Sequence, residues 1–155
     1  MILGVRRCWA RPHRHDERGS AVVEFIVLGV LMLVPLIYLV MTMARLQAGA
    51  YAASAAAREA ARVFVTAPSE ESAEPRAMAA AGIAFEDQGF GGGQGALTLG
   101  CDGTPCLRPE GRIEVVATVT VPLPFVPAFA RDLVPLEVPV SASHVAVVDR
   151  FRARP

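Results

Sequence analysis

The sequence predicts an α+β protein: a long N-terminal transmembrane helix that continues into a small extracytoplasmic domain with a second helix and a three-stranded antiparallel sheet. Three observations predict it. An apolar run fills Ala21 to Ala44, an Ala-rich helical period follows as far as Thr66, and the period changes to two beyond the glycines at 89–95. A chain of 155 residues has room for one compact domain. Its hydrophobic share of 53% lies above the roughly 45–50% usual for soluble domains.

The apolar run comes first. At 1.5 Å per residue, Ala21 to Ala44 makes a helix of about 36 Å, enough for a hydrocarbon core of about 30 Å. Residues 1–18 carry five Arg against Asp16 and Glu17, whereas residues 45–155 carry ten Arg against twelve acids. By the positive-inside rule the N-terminus is cytoplasmic and the C-terminal part lies outside. The chain thus divides into a basic leader at 1–19, a span at 20–44 and an extracytoplasmic domain at 45–155. The expected location is the cytoplasmic membrane, single-pass, with the lipid bilayer as partner.

The helix is expected to pass the membrane surface. Between Arg45 and Thr66 there is no proline, and Gly49 is a weak interruption. Leu46, Ala50, Ala53, Ala57, Ala60 and Phe64 recur at spacings of three and four and form one apolar face, with Arg58, Glu59 and Arg62 largely off it. One continuous helix over about 21–66 would be roughly 70 Å long. Small residues on that face allow a second helix or a sheet to approach closely. Pro68 ends the helix. Ser69 reads as an N-cap followed by the first-turn acids Glu70 and Glu71, which suit a helix N-terminus. The second helix runs to about Asp87, giving a helical stretch at 45–87. A flexible Gly-rich loop follows at 89–95, and it lacks the Lys-Ser/Thr ending of a phosphate-binding loop.

Residues 96–150 are β-rich. Leu97, Leu99 and Cys101 alternate with small or polar residues. Ile113, Val115, Ala117, Val119 and Val121 share one face, with Glu114, Thr118 and Thr120 on the other. Leu136, Val138, Val140 and Ala142 begin a third segment that continues through Val145 to Val148. Alternation of this kind describes a half-buried antiparallel sheet. Pro135 and Pro139 remove ladder donors, so the first half of the third strand is expected at an edge or bulged. The apolar stretch from Pro122 to Phe129 is suited to touch a membrane surface or a partner.

Cys8 lies in the leader. Cys101 and Cys106 bracket Cys-Asp-Gly-Thr-Pro-Cys, a tight turn able to bring two sulfurs within bonding reach in an oxidising compartment. Two free thiols are the alternative.

The residues that carry function straddle the start of the apolar run: Arg18-Gly19-Ser20-Ala21-Val22-Val23-Glu24-Phe25. Glu24 is the only acid of the span, and a carboxylate there is costly unless it finds a positive partner. This arrangement resembles a type IV prepilin processing site: a basic leader, Gly, four residues, Glu and an aromatic, then a long apolar helix. More narrowly, Glu17 to about Val65, with Ala-Ala-Ala-Arg-Glu-Ala-Ala-Arg, resembles a TadE-like minor pilin (pseudopilin) of the tight-adherence, or Tad, system. The likeness extends weakly to the C-terminal strands with their short Cys loop. It implies a pilin-like fold and cleavage between Gly19 and Ser20 by a prepilin peptidase. It also implies an assembly role for Glu24 and Phe25, with the Glu24 carboxylate pairing with the new terminal amine of a neighbouring subunit. The implied partners are the other pilins and the Tad secretion and assembly machinery. The long leader and the mid-span Pro35, which deprives the Leu31 carbonyl of its helical partner, depart from the pattern.

Other readings of the same residues remain. Ala48-Gly49-Ala50 satisfies a secretory cleavage rule that would release a domain starting at Tyr51. Against it, the apolar run exceeds the usual stretch of about 7–15 residues and Arg45 interrupts the approach. An uncleaved single-span anchor displaying a binding domain is the second alternative, with Glu24 snorkelling to water. An enzyme is not expected: His144 is the only histidine beyond the leader, and no nucleophile–base order or paired carboxylates stand out. Cys101 and Cys106 lack further ligands for zinc. No cofactor or small-molecule substrate is indicated, and the absence of a basic stripe argues against nucleic acid.

Overall fold

The structure, a computed structural model, describes residues 18–123 and 136–152. The leader as far as residue 17 and most of the Pro122–Phe129 loop lie outside these residues. Helix α1 spans Arg18–Val65, α2 Glu70–Asp87, and strands β1 Gly95–Cys101, β2 Arg112–Pro122 and β3 Glu137–Val147 follow. The chain divides into two units, Met1–Ile37 and Tyr38–Pro155.

In the first unit every described residue is helical. Its side chains from Val22 to Leu36 are apolar apart from Glu24, and the large ones are exposed. The helix is long and apolar enough to cross a membrane. Pro35 sits within it without ending it. The carbonyl of Leu31 loses its partner amide there, and the bonds around it hold the turn.

In the second unit the sheet is an antiparallel meander in the order β1-β2-β3. β2 is central, so one of its faces can be shielded completely: Ile113, Val115, Ala117, Val119 and Val121 are fully buried. Against that face lie Ala52, Ala56, Ala57, Ala60, Ala61 and Phe64 of α1 and Ala73, Ala77, Ala81 and Phe85 of α2, in one apolar cluster. The helices supply methyl groups and the central strand supplies branched bulk. Small side chains on the helices let them lie close to the sheet.

Gly49 is a point of close approach, because a Cβ there would collide with a γ-methyl of Val121 and lie 3.4 Å from Val119. The expected interruption is a contact point. Ala50, assigned by periodicity to the apolar face, is exposed, and Leu46 is half-buried. Ala53, Ala57, Ala60 and Phe64 are buried as expected, and the stripe also takes in Gly49, Ala52, Ala56 and Ala61. Alanines on both sides of the helix make the stripe's phase hard to read from spacing alone.

Helix α2 is the length its sequence predicts, but its caps differ from expectation. Ser69 has the extended N-cap conformation, yet its hydroxyl bonds the Ser72 hydroxyl (3.0 Å) and caps no helix amide. At the other end Gly89 (φ +78°) takes the left-handed conformation that a side chain resists. Its N–H bonds the Glu86 carbonyl (2.8 Å) and the Phe90 N–H bonds the Phe85 carbonyl (2.9 Å), closing a Schellman motif. Phe85 and Phe90 are both buried in the core, so the start of the glycine loop is a fixed helix stop. Gly95, assigned to that loop, already pairs with Val119 as the first residue of β1.

The strand faces follow the alternation. β3 is an edge strand, which suits Pro139, and its ladder with β2 runs unbulged from Arg112↔Val147 to Pro122↔Glu137, while Pro135 lies outside the described residues. The alternation in β3 keeps one phase to the end. Val138, Val140, Ala142, His144 and Ala146 share the core side, while Val145 and Val147 are more than half exposed. The apolar dipeptides at 145–148 disguise that phase.

Candidate functional site

The residues singled out by sequence fall at two places, one in each unit. Gly19 and Ser20 lie in the first turn of α1, and Glu24 and Phe25 in the turn after. Positions 20 and 24 are four apart on a helix, hence neighbours on one stripe. Glu24 is exposed, Phe25 is 77% exposed, and Val22, Val23, Ile26 and Val27 around them are exposed as well. Among the described residues Glu24 makes no ion pair. A carboxylate at the edge of an exposed apolar surface is a group awaiting either water or a cation from elsewhere.

The second place is the Cys loop. Cys101 and Cys106 are joined in a disulfide with Cα atoms 5.5 Å apart. The loop is held by more than the sulfur bridge. Glu70, in the first turn of α2, reaches across to accept the N–H of Cys106 and that of Leu107 (3.3 Å). Asp102 accepts the Arg112 N–H (3.0 Å) and pairs with the Arg108 guanidinium (2.9 Å). Reciprocal bonds link Glu110 and Gly111 to Val148 (3.1 and 2.9 Å), and Leu107 is buried in the core. Thr104–Pro105 is cis within this turn.

Arg152 acts beyond the loop: it donates to the carbonyls of Val65 (2.9 Å) and Ala67 at the C-terminal end of α1, where a cation also suits the helix dipole. Nothing in the sequence marks Arg152 or the reach of Glu70, because both join residues far apart in the chain. The only hint was an acid in the first turn of α2, and it suggested a local role.

The exposed pair Glu59–Arg62 lies one turn apart on α1. Hydrogen bonding to Arg62 lowers the Glu59 carboxyl below its ordinary range, and the same bond raises Arg62. A depressed carboxyl stabilises the fold at pH above its unfolded pKa and ceases to as pH falls through the folded value. With both side chains solvent-screened, that contribution is slight. His144 stands opposite Val115 on the core side of β3. Among the described residues no three His, Cys, Asp or Glu side chains gather as a metal site.

No family model, curated protein or solved structure matches the chain.

Proposed function

We propose that the chain is a minor pilin (pseudopilin) of a Tad-type pilus, anchored in the cytoplasmic membrane with its N-terminus inside and residues 45–155 outside. A prepilin peptidase cuts it between Gly19 and Ser20, and it contributes to pilus assembly and adhesion. One observation carries the reading. The Gly19-Ser20…Glu24-Phe25 pattern opens a single 48-residue helix whose first part is exposed and apolar and whose later part packs beneath a sheet. A helix of that kind serves two solvents, and a lone acid near the start of the apolar part favours association over simple anchoring. Cleavage creates a positive amine on Ser20, four positions from Glu24. Within a bundle of such helices, matching one chain's amine to another's carboxylate favours correct axial register, since a mismatched pair leaves a charge unsatisfied. The disulfide fits a domain folded in an oxidising compartment outside the cytoplasm.

The second reading, an uncleaved anchor displaying a binding domain, needs only the helix and the domain. Intact mass of the membrane-extracted protein separates the two. The expected mature terminus is Ser20, and Gly19→Arg leaves the precursor uncut. An intact leader on the wild-type chain returns the anchor, and a terminus at Tyr51 establishes secretion.

A further inference from the structure

Among the described residues the two edges of the sheet are unpaired, and the ladder determines which backbone groups face them. Leu123 N–H to the Leu136 carbonyl and Val148 N–H to the Gly111 carbonyl (2.9 Å each) commit the even-numbered residues of β3 to β2. Ser141, Ser143, Val145 and Val147 therefore turn their N–H and C=O groups outward. On β1, Thr120 N–H to the Gln94 carbonyl (2.8 Å) and Asp102 N–H to the Arg112 carbonyl (3.1 Å) commit the even-numbered residues to β2. Gly95, Leu97, Leu99 and Cys101 face the other edge. Among the described residues, none of these edge amides has a hydrogen-bond partner.

Natural sheets guard such edges with charge, proline or a bulge. β3 carries Glu137 and Pro139 at one end only; from Ser141 to Val147 its outward row is Ser, Ser, Val, Val, and the ladder has no bulge. β1 carries no charge at all.

We propose that β3 of one copy pairs in parallel with β1 of the next, continuing the sheet from chain to chain. Both strands run antiparallel to β2 and hence in the same direction, so copies in a common orientation present them in parallel. In a parallel ladder the edge-facing residues of one strand carry side chains on one face, and those of its partner carry them on the other. That condition holds here, since the outward groups of β3 belong to its solvent-face residues and those of β1 to its core-face residues. Lengths also agree. β1 has seven residues, and Ser141–Val147, the part of β3 beyond Pro139, has the same length. The core-side row of β3, Val138, Val140, Ala142, His144 and Ala146, is only half-buried, unlike that of β2. Pairing sets Leu97 and Leu99 of the next copy beside it. A head-to-tail contact of this kind joins each copy to a next one, in a row or, where the rotation between copies closes, a ring. The common orientation rests on the membrane-anchored reading above; the openness of the edges does not.

Two differently tagged full-length chains, both Cys8→Ser, test it in membranes. One carries Ser143→Cys and the other Ala96→Cys, Thr98→Cys or Gly100→Cys, all on the solvent face. Adjacent strands bring Cα atoms within disulfide range. A mixed-tag dimer on mild oxidation with at least one of the three is expected, together with its loss when Val145→Lys guards the edge. Resistance of Cys101 and Cys106 to alkylation reports that each variant is folded. A dimer formed by Ser143→Cys chains alone would reveal antiparallel β3–β3 contact and overturn the proposal, as would no mixed dimer from any pair. Since the mature terminus is read independently, a missing dimer on chains beginning at Ser20 defeats the edge pairing and leaves the pilin reading standing.

Discussion

Gly49 and Gly82 both lie inside helices, where alanine is ordinarily better by about 1 kcal/mol. Their surroundings give the same substitution opposite signs. A Cβ at Gly82 meets nothing within 4 Å, so Gly82→Ala should stabilise the fold by nearly that full amount. At Gly49 the new methyl runs into Val121, a short branched side chain that is fully buried. Overpacking costs about 1–3 kcal/mol, so Gly49→Ala should be net destabilising by roughly 1 kcal/mol and Gly49→Leu by more. Denaturant unfolding of the full chain in detergent measures both, and a stabilised Gly49→Ala would show that α1 stands off the sheet. The sequence marked Gly49 as a flaw in a helix, because its justification lies in a strand seventy residues later.

The Cys loop is an element of its own, fastened by the disulfide, by Glu70 and by the bonds to Val148. Closing so short a loop contributes about 2 kcal/mol by chain entropy. Cys101→Ser should lower stability by about that much. It should speed hydrogen exchange at Asp102, Arg108 and Gly111 while the β2–β3 amides stay protected. Full alkylation of both cysteines in the folded wild-type chain would refute the bridge. Elements whose signal is periodic were legible beforehand: the apolar run and its helical continuation, α2 to Asp87, and the alternation of β2. Less legible were places where one residue type blurred the phase, as alanine did at Ala50 and valine did at 145–148. Contacts made across the chain left no local trace. Glu70 and Arg152 look like ordinary surface charges until the fold sets them against a loop and a helix end. Glu24 and Phe25 were legible as a pattern, since an acid one turn into an apolar run is conspicuous without any structure.

For the molecule as a whole, the exposed apolar helix and the covered domain ask for different surroundings, and Glu24 is the one charge set in the former. If it matches a neighbour's amine, Glu24→Leu should leave cleavage and insertion intact while co-purification with other pilins and surface fibre counts fall. The orphaned amine would cost about 3–5 kcal/mol. Normal association and normal fibres would mean that Glu24 is merely tolerated. The division of labour in the core has a consequence for how the chain is made. Apart from Phe64, the part of α1 buried beneath the sheet offers single methyl groups, and most of the branched bulk that buries them comes from β2. Synthesis delivers the helix first and β2 only after α2 and β1. A helix face of alanines is weakly adhesive, so the emerging segment can wait without seizing the wrong neighbour. Closure then depends on the arrival of β2, and the domain should fold late and in one step, after most of the chain has left the ribosome.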